Sequence, residues 1–265
     1  MRAIIISTLL MVLIPISGGG QSAGLPVEIT ILYDNYPSHP SCRTDWGFSC
    51  LIKGLEKTIL FDTGTDPDIF TANIRALGID LDAVDLVVIS HFHHDHDGGL
   101  ETFLSQNTAV PVYVPKDPDV RAQSLLERVE KLGSSAVVAD EPAEILPGVF
   151  LTGTLGDAIK EQALVIETGP GLVVITGCAH PGILSVLERA IRIKDRDIAL
   201  VLGGFHLVNT PEIEVTRIIG RFRELGVRRV GASHCTGDAP LGMFRQSYGK
   251  DFVELGAGRI LTVER

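Results

Sequence analysis

The sequence predicts an α/β fold of the α+β kind, with sheets covered by helices in a single domain. Three observations carry this. Short β-rich runs alternate with helical patterns along the chain and outnumber them. The 265 residues are 45% hydrophobic and 21% charged, enough for a sizeable core and a composition that excludes extensive disorder or a coiled coil. No linker rich in Pro, Gly or Ser divides the chain, and no low-complexity tract interrupts it.

The first segment is set apart from the fold. Arg2 is followed by an apolar run over 3–16 and a small-residue stretch over 17–23, the order of a secretory signal. The run falls short of the roughly 20 apolar residues a membrane span needs, so no stable membrane anchor is expected. An uncleaved anchor or a buried N-terminal strand is the competing interpretation. Residues 1–23 are therefore expected to be a signal peptide, 24–265 the single domain, and the protein exported, periplasmic or secreted.

Runs rich in β-branched and apolar residues predict strands over 27–33, 48–53 and 58–61. A helix is expected over 67–77, a strand over 84–90, a helix from about Leu100 and a strand over 110–114. Residues 119–133 have apolar positions at helical spacing and close on Gly133, a helix with its stop signal. The second half repeats the theme, with strands over 163–168 and 172–177, a helix over 183–193 and a strand over 198–204. A helix over 212–226 and strands over 228–233, 252–255 and 259–263 complete it.

Charge narrows the partners. With 33 acidic against 23 basic residues and a net charge of -10, the chain lacks the clustered Lys and Arg of phosphate-backbone binding. A small-molecule substrate is expected, and no nucleic acid. The four cysteines, Cys42, Cys50, Cys178 and Cys235, include no C-x-x-C pair; Cys42 and Cys50 could bridge their intervening loop in an oxidising compartment.

Histidine is the unusual component. Four of the eight lie between His91 and His96, in the segment VVISHFHHDHDGGL. A buried strand is expected to end at Ser90 and release His91, His93, His94, Asp95 and His96 into a loop, with Gly98 and Gly99 turning the chain into a helix. Imidazoles and a carboxylate suit Zn, Mn or Fe(II). His91 and His93 can face one point and Asp95 and His96 an adjacent one, so the donors exceed what one open metal needs. By composition H-x-H-x-D-H should arise by chance in on the order of one chain per thousand.

At these residues the sequence resembles the metallo-β-lactamase fold superfamily: His91, His93, Asp95 and His96 match its H-x-H-x-D-H motif, with His94 at a variable position. TILFDTG resembles its first motif, a strand ending in an aspartate, here Asp62, which the resemblance implies orients the metal loop from behind its ligands. The likeness runs from about Val27 to the C-terminus and implies a four-layer αββα sandwich with one or two divalent ions, most readily Zn with Mn or Fe as alternatives, at one edge between the sheets.

The downstream positions depart from that pattern. Where the superfamily has an Asp after T-G, Thr176-Gly177 is followed by Cys178, with His180 two residues on; either can donate, and ligand preference favours His180, with Cys178 as the alternative. His234, after the strand ending RVGAS, matches the superfamily's last metal histidine. Cys235 is expected to point the opposite way by strand alternation. His206, after GGF, is a candidate to bind substrate, donate a proton or complete the metal shell. Together TGCAHPGI, GGFHL and SHCTG resemble a subgroup of dihydropterin-ribofuranosyl-aminobenzene-phosphate synthase-like hydrolases, whose assigned activity is not carried over, since the expected export gives no obvious access to an intracellular pterin pathway.

The implied ligand sets are His91, His93 and His180 for one metal, and Asp95, His96 and His234 for the second. Asp95 is also a candidate to orient the nucleophile and His206 to serve the leaving group. The expected activity is metal-dependent hydrolysis of an ester, phosphoester or lactone. The alternatives are an iron-dependent redox enzyme acting on thiols or oxygen, and a non-catalytic metal- or ligand-binding protein.

Overall fold

The computed structural model describes residues 25–265; the expected signal segment lies outside them. The first half runs β1 (Val27–Tyr33), β2 (Ser49–Lys53), β3 (Ile59–Phe61), α1 (Pro67–Ala76), β4 (Leu86–Val88), α2 (His94–Asp97), α3 (Leu100–Gln106), β5 (Pro111–Pro115), α4 (Val120–Lys131) and β6 (Ser135–Ala139). The second runs β7 (Ala143–Leu146), β8 (Val149–Leu151), β9 (Leu164–Glu167), β10 (Leu172–Thr176), α5 (Ile183–Ile193), β11 (Ile198–Gly204), α6 (Glu212–Glu224), β12 (Arg229–Ser233), α7 (Asp238–Tyr248) and β13 (Ile260–Val263).

Two sheets result, ordered β13-β1-β2-β3-β4-β5-β6 and β12-β11-β10-β9-β8-β7. Alternation along the strands divides their side chains between layers. Ile59 and Phe61 of β3, with Val173 and Ile175 of β10, face the core between the sheets. Leu60 and Val87 face outward, toward Phe70 of α1, Phe103 of α3 and Leu125 of α4. Leu172 and Val174 face the other way, toward Leu187 of α5 and Phe222 of α6. Strands covered on both faces read as continuous apolar runs, and each fully buried Leu, Ile or Phe contributes about 1.5–3 kcal/mol. This is the four-layer αββα sandwich.

Three corrections follow. The strand expected over 84–90 shortens to Leu86–Val88, because Val84 caps a 3-10 turn over Leu81–Ala83 and the Ser90 N–H goes to the Asp62 side chain. The metal segment is not all loop: His94–Asp97 closes a helical turn, with His96 and Asp97 N–H bonded back to the His93 carbonyl. Residues 252–255 form no strand; Phe252 makes only an isolated bridge to Val230. Sequence patterning also passes over β6, β7 and β8, which are short; β6 is a largely exposed edge strand that carries little apolar signal. Cys42 and Cys50 are both free thiols, Cys50 buried within β2.

The topology positions the site. β3 and β4 run parallel, as do β10, β11 and β12, with Phe61 opposite Val88, Thr176 opposite Gly203 and Gly204 opposite Ser233. The residues just past these ends are Asp62, the segment leading to His91, Gly177-Cys178, Phe205-His206 and His234. Carboxyl ends of parallel strands from both sheets therefore open on one edge of the sandwich.

Candidate metal centre

The backbone at this edge is strained. Asp62, Ala179, His206 and His234 have φ of 52°, 59°, 51° and 50°, and Ala109 is the remaining described non-glycine residue with positive φ. Such conformations cost of order 1–3 kcal/mol each and persist where surrounding contacts over-determine them. Gly177 is required for another reason: a Cβ there would lie 2.1 Å from Ser90 Oγ.

Asp62 organises the first-sheet donors. Its Oδ1 accepts the Ser90 backbone N–H at 2.7 Å and its Oδ2 the Ser90 hydroxyl at 2.8 Å. His96 Nδ1 lies 2.7 Å from the same Oδ2, which directs Nε2 toward the second sheet. Burial would push the His96 imidazole down, but Asp62 outweighs it and raises the group to about 9. Ser90 Oγ also meets His91 Nδ1 at 2.9 Å, and His91 Nε2 lies 3.1 Å from His93 Nδ1. Burial, reinforced by the surrounding imidazoles, holds His91 well below the usual histidine range. His94 points outward, more than half exposed.

Asp95 Oδ2 lies 3.6 Å from His96 Nε2 and 3.3 Å from His234 Nε2. Burial would raise this carboxyl, but His234 and His96 overcome it and hold it far below the usual carboxylate range. The Trp46 indole N–H donates to the same oxygen at 2.9 Å. On the other flank, Asn35 Oδ1 meets His234 Nδ1 at 3.0 Å, leaving Nε2 to face the gap.

The second sheet supplies Cys178 and His180 on a turn held from below. Glu161, fully buried, accepts the backbone N–H groups of Cys178 and Ala179 on Oε1 at 2.9 and 2.7 Å and that of His180 on Oε2 at 2.8 Å. Burial raises its carboxyl to about 7 against the pull of those three amides. Cys178 Sγ lies 3.3 Å from His96 Nε2. The His180 imidazole is lowered to about 3, first by burial and then by His206 and His93.

Two donor sets emerge. Asp95, His96, Cys178 and His234 offer ligand atoms within 4.8 Å of one another, and so do His91, Cys178 and His180. His93 flanks the second set, its ring 4.8 Å from that of His180. Cys178 and His180 are thus not alternatives in space: the thiol joins both sets and the imidazole one. A divalent cation fits this arrangement on two grounds. Nitrogen, oxygen and sulfur donors converge without spacers, and the buried Nε2 atoms of His180 and His234 have no hydrogen-bond partner among the described residues.

The Cys235 expectation fails. The strand ends at Ser233, and His234–Thr236 forms a 3-10 turn, so alternation no longer applies. Cys235 instead faces Cys178, its Sγ 3.6 Å from the Cys178 carbonyl oxygen. His206 sits beside His180, ring centroids 4.2 Å apart. Glu161, Asn35, Trp46 and Ser90 escaped the sequence reading because each acts through a partner distant in sequence or a backbone amide; the acid in KEQAL was the only local signal. Next to the centre, His93 lines a cavity of about 460 Å³ whose polar wall carries Asp117, Asp119, Arg121, Asp157 and Lys160.

The model of the metallo-beta-lactamase superfamily matches residues 47–189. The chain belongs to that superfamily. A solved structure described as Tm1679, a metal-dependent hydrolase of the beta-lactamase superfamily, is 30% identical with a TM-score of 0.76, covering 90% of this chain and all of its own. A curated relative from Methanocaldococcus jannaschii, 7,8-dihydropterin-6-methyl-4-(beta-D-ribofuranosyl)-aminobenzene-5'-phosphate synthase, is 29% identical over 89% of this chain and 96% of its own. The YhfI protein of Bacillus subtilis, with 16% identity, a TM-score of 0.65 and coverage of 90% of this chain and 99% of its own, shares the fold. Superfamily membership implies divalent-metal binding, and the family is generally enzymatic.

Proposed function

We propose that this protein is a metal-dependent hydrolase of a small-molecule ester, phosphoester or lactone. The observation that carries the proposal is the pair of donor sets meeting at Cys178, each with an unpartnered imidazole nitrogen, beside a cavity of small-molecule size. His91, His93 and His180 would hold one cation and Asp95, His96 and His234 the other, with Cys178 between them. When bound, a divalent cation supplies Lewis acidity, ionising water near neutral pH and polarising an acyl or phosphoryl oxygen.

The chain's own residues do the remainder. The Trp46 N–H donates to Asp95 Oδ2, leaving Oδ1 free to accept a hydrogen bond from the attacking water and so orient it. His206, at the mouth of the centre, protonates or binds the leaving group. The cavity beside His93 takes the body of the substrate, with Arg121 and Lys160 available to an anionic group and three aspartates to a cationic one. The hydrolase description of the solved relative supports bond cleavage. The synthase name of the curated relative supports a phosphate-bearing aromatic compound as one substrate class to include.

The test is metal quantification on the purified protein, paired with a panel of phosphodiesters, phosphomonoesters, lactones and β-lactams. Zinc or manganese at one or two ions per chain, with turnover on the panel, is the expected result. Iron with oxygen consumption would assign the redox alternative instead. Tight small-molecule binding with no turnover would assign a sensing role. Export belongs to the same proposal: the mature protein should begin near residue 24 and be recovered outside the cytoplasm, which N-terminal sequencing of the fractionated protein would check.

A further inference from the structure

A third group of donors lies next to the two described. Cys178 Sγ, Cys235 Sγ and a ring nitrogen of His206 all fall within 4.8 Å of one another. They come from three strand ends: the turn after β10, the turn after β12 and the left-handed residue beyond β11. We infer that Cys178, His206 and Cys235 form a separate site for a thiophilic cation, sharing the Cys178 sulfur with the histidine-rich centre.

The surrounding structure is built to bring these groups together. β11 ends in two glycines, and a Cβ at Gly204 would lie 2.7 Å from Cys235 Sγ and 2.4 Å from the Gly177 carbonyl oxygen. Only glycine lets this strand end pass so close to the Cys235 sulfur and the Gly177-Cys178 backbone. The Phe205 backbone N–H donates to Thr236 Oγ1 at 3.0 Å, tying the end of β11 to the turn that carries Cys235. One residue on, His206 adopts φ 51°, a conformation that costs energy in any residue but glycine and is uncommon outside Asn, Asp and His. In this conformation a ring nitrogen lies within 4.8 Å of both sulfurs.

The donor chemistry selects the ligand. Two sulfurs and one imidazole are a soft set, suited to zinc, cadmium or cuprous ion and poorly suited to magnesium or manganese. Two cysteines and one histidine with a vacant fourth position are a known zinc arrangement. Cys178 and Cys235 are each about 2% exposed, whereas His206 lies at the surface, so an ion would enter from the His206 side. The histidine-rich centre, by contrast, has one sulfur among its donors and accepts harder ions.

This inference concerns sulfur–metal bonding and not turnover, and with a cation at this site His206 is a ligand and not the leaving-group residue of the proposed hydrolysis. The experiment is a titration of the purified full-length protein with Cd²⁺ alone, following the ultraviolet thiolate-to-cadmium charge-transfer band and the number of ions bound by native mass spectrometry. The parent should show a band with the intensity of two coordinated thiolates. Cys235→Ser should lose about half of that intensity, because Cys178 keeps its place in the other sets, and should bind one ion fewer.

His206→Asn is the companion variant, because asparagine tolerates the left-handed backbone and the position is exposed, so the fold is kept. It should require at least tenfold more Cd²⁺ to develop the same band, given that losing even an outer-shell partner of a metal costs 10–100-fold. Circular dichroism checks the fold of both. A His206→Asn titration that overlays the parent, or a folded Cys235→Ser protein with the full band, would overturn the inference even if hydrolysis were demonstrated. Absence of hydrolysis with these band changes intact would leave it standing.

Discussion

On the first sheet the donors His91, His93, Asp95 and His96 lie within six consecutive residues, whereas on the second sheet Cys178, His180, His206 and His234 come from the ends of three separate strands. Their support differs in the same way. Asp62 holds the first group by side-chain bonds to Ser90 and His96. Glu161 holds the second through the backbone, by three successive amides, and Asn35 clasps His234 across the sheets. A compact cluster needs one carboxylate to orient an imidazole; a dispersed one needs its strand ends placed first. Damage to the first half should therefore show as lost metal affinity, and damage to the second as lost stability before lost affinity.

The largest effect should come from His96, which joins both halves through Asp62 on one nitrogen and Cys178 on the other. His96→Ala is expected to empty the Asp95–His234 side, removing one cation per chain and lowering turnover by more than about 100-fold. Metal analysis and kcat on the best panel substrate measure both. Asp62→Asn should come next. It keeps the size of the side chain but removes the charge behind His96, and a loss of about 10–100-fold in metal affinity is expected by competition with a chromogenic chelator. If this variant lost stability and kept its affinity, the division between the halves would be wrong.

The contrast also explains what could be seen in the sequence. The H-x-H-x-D-H segment, Asp62 at a strand end and His234 after a buried strand were legible because short-range spacing and the apolar runs before them carry the information. Helix α5 and strand β11 were legible for the same reason, with 11 and 7 residues of strong patterning. Glu161 was not, because nothing local shows that a buried acid will meet three amides of a turn 17 residues later. Cys235 was misread because strand alternation was extended into a 3-10 turn. The edge strands β6 and β7 were invisible because exposed strands need little apolar patterning.

Two further substitutions address the second half. Asp34, fully buried, accepts the Ser233 hydroxyl at 2.5 Å just before His234, and burial raises its carboxyl to about 6 against the opposing bonds from Ser233 and Tyr36. A carboxyl raised on folding is bound more tightly to its proton in the native state. Its contribution to stability is therefore complete below the unfolded value of 3.8 and is lost as pH rises through about 6. The loss is at most about 3 kcal/mol. Urea unfolding of the metal-free protein at pH 4.5 and 7.5 should show this decline, and Asp34→Asn, which can keep both hydrogen bonds, should remove that part of it. Glu161→Gln should cost about 1–3 kcal/mol in the same assay, because its NH₂ group would face one of the three turn amides and leave it unpaired.

The smallest effect should come from Trp46, and it separates the two metal subsites most directly. It is the one tryptophan in the chain. Its N–H donates to Asp95 Oδ2 and its ring lies 4.9 Å from that of His234, so it touches only one donor set. Indole emission should therefore change as a cation enters the Asp95–His96–His234 side and stay level as one enters the His91–His93–His180 side. Trp46→Phe, which retains an aromatic ring and removes the hydrogen bond, should weaken the first event by about tenfold or less and leave the second unaltered, as followed by calorimetry. The indole is 48% exposed, so solvent can replace much of what the mutation removes, which is why the effect is modest. Emission that tracked both binding events equally would mean that the subsites load as one cooperative unit through Cys178, and the two halves would have to be treated as a single centre.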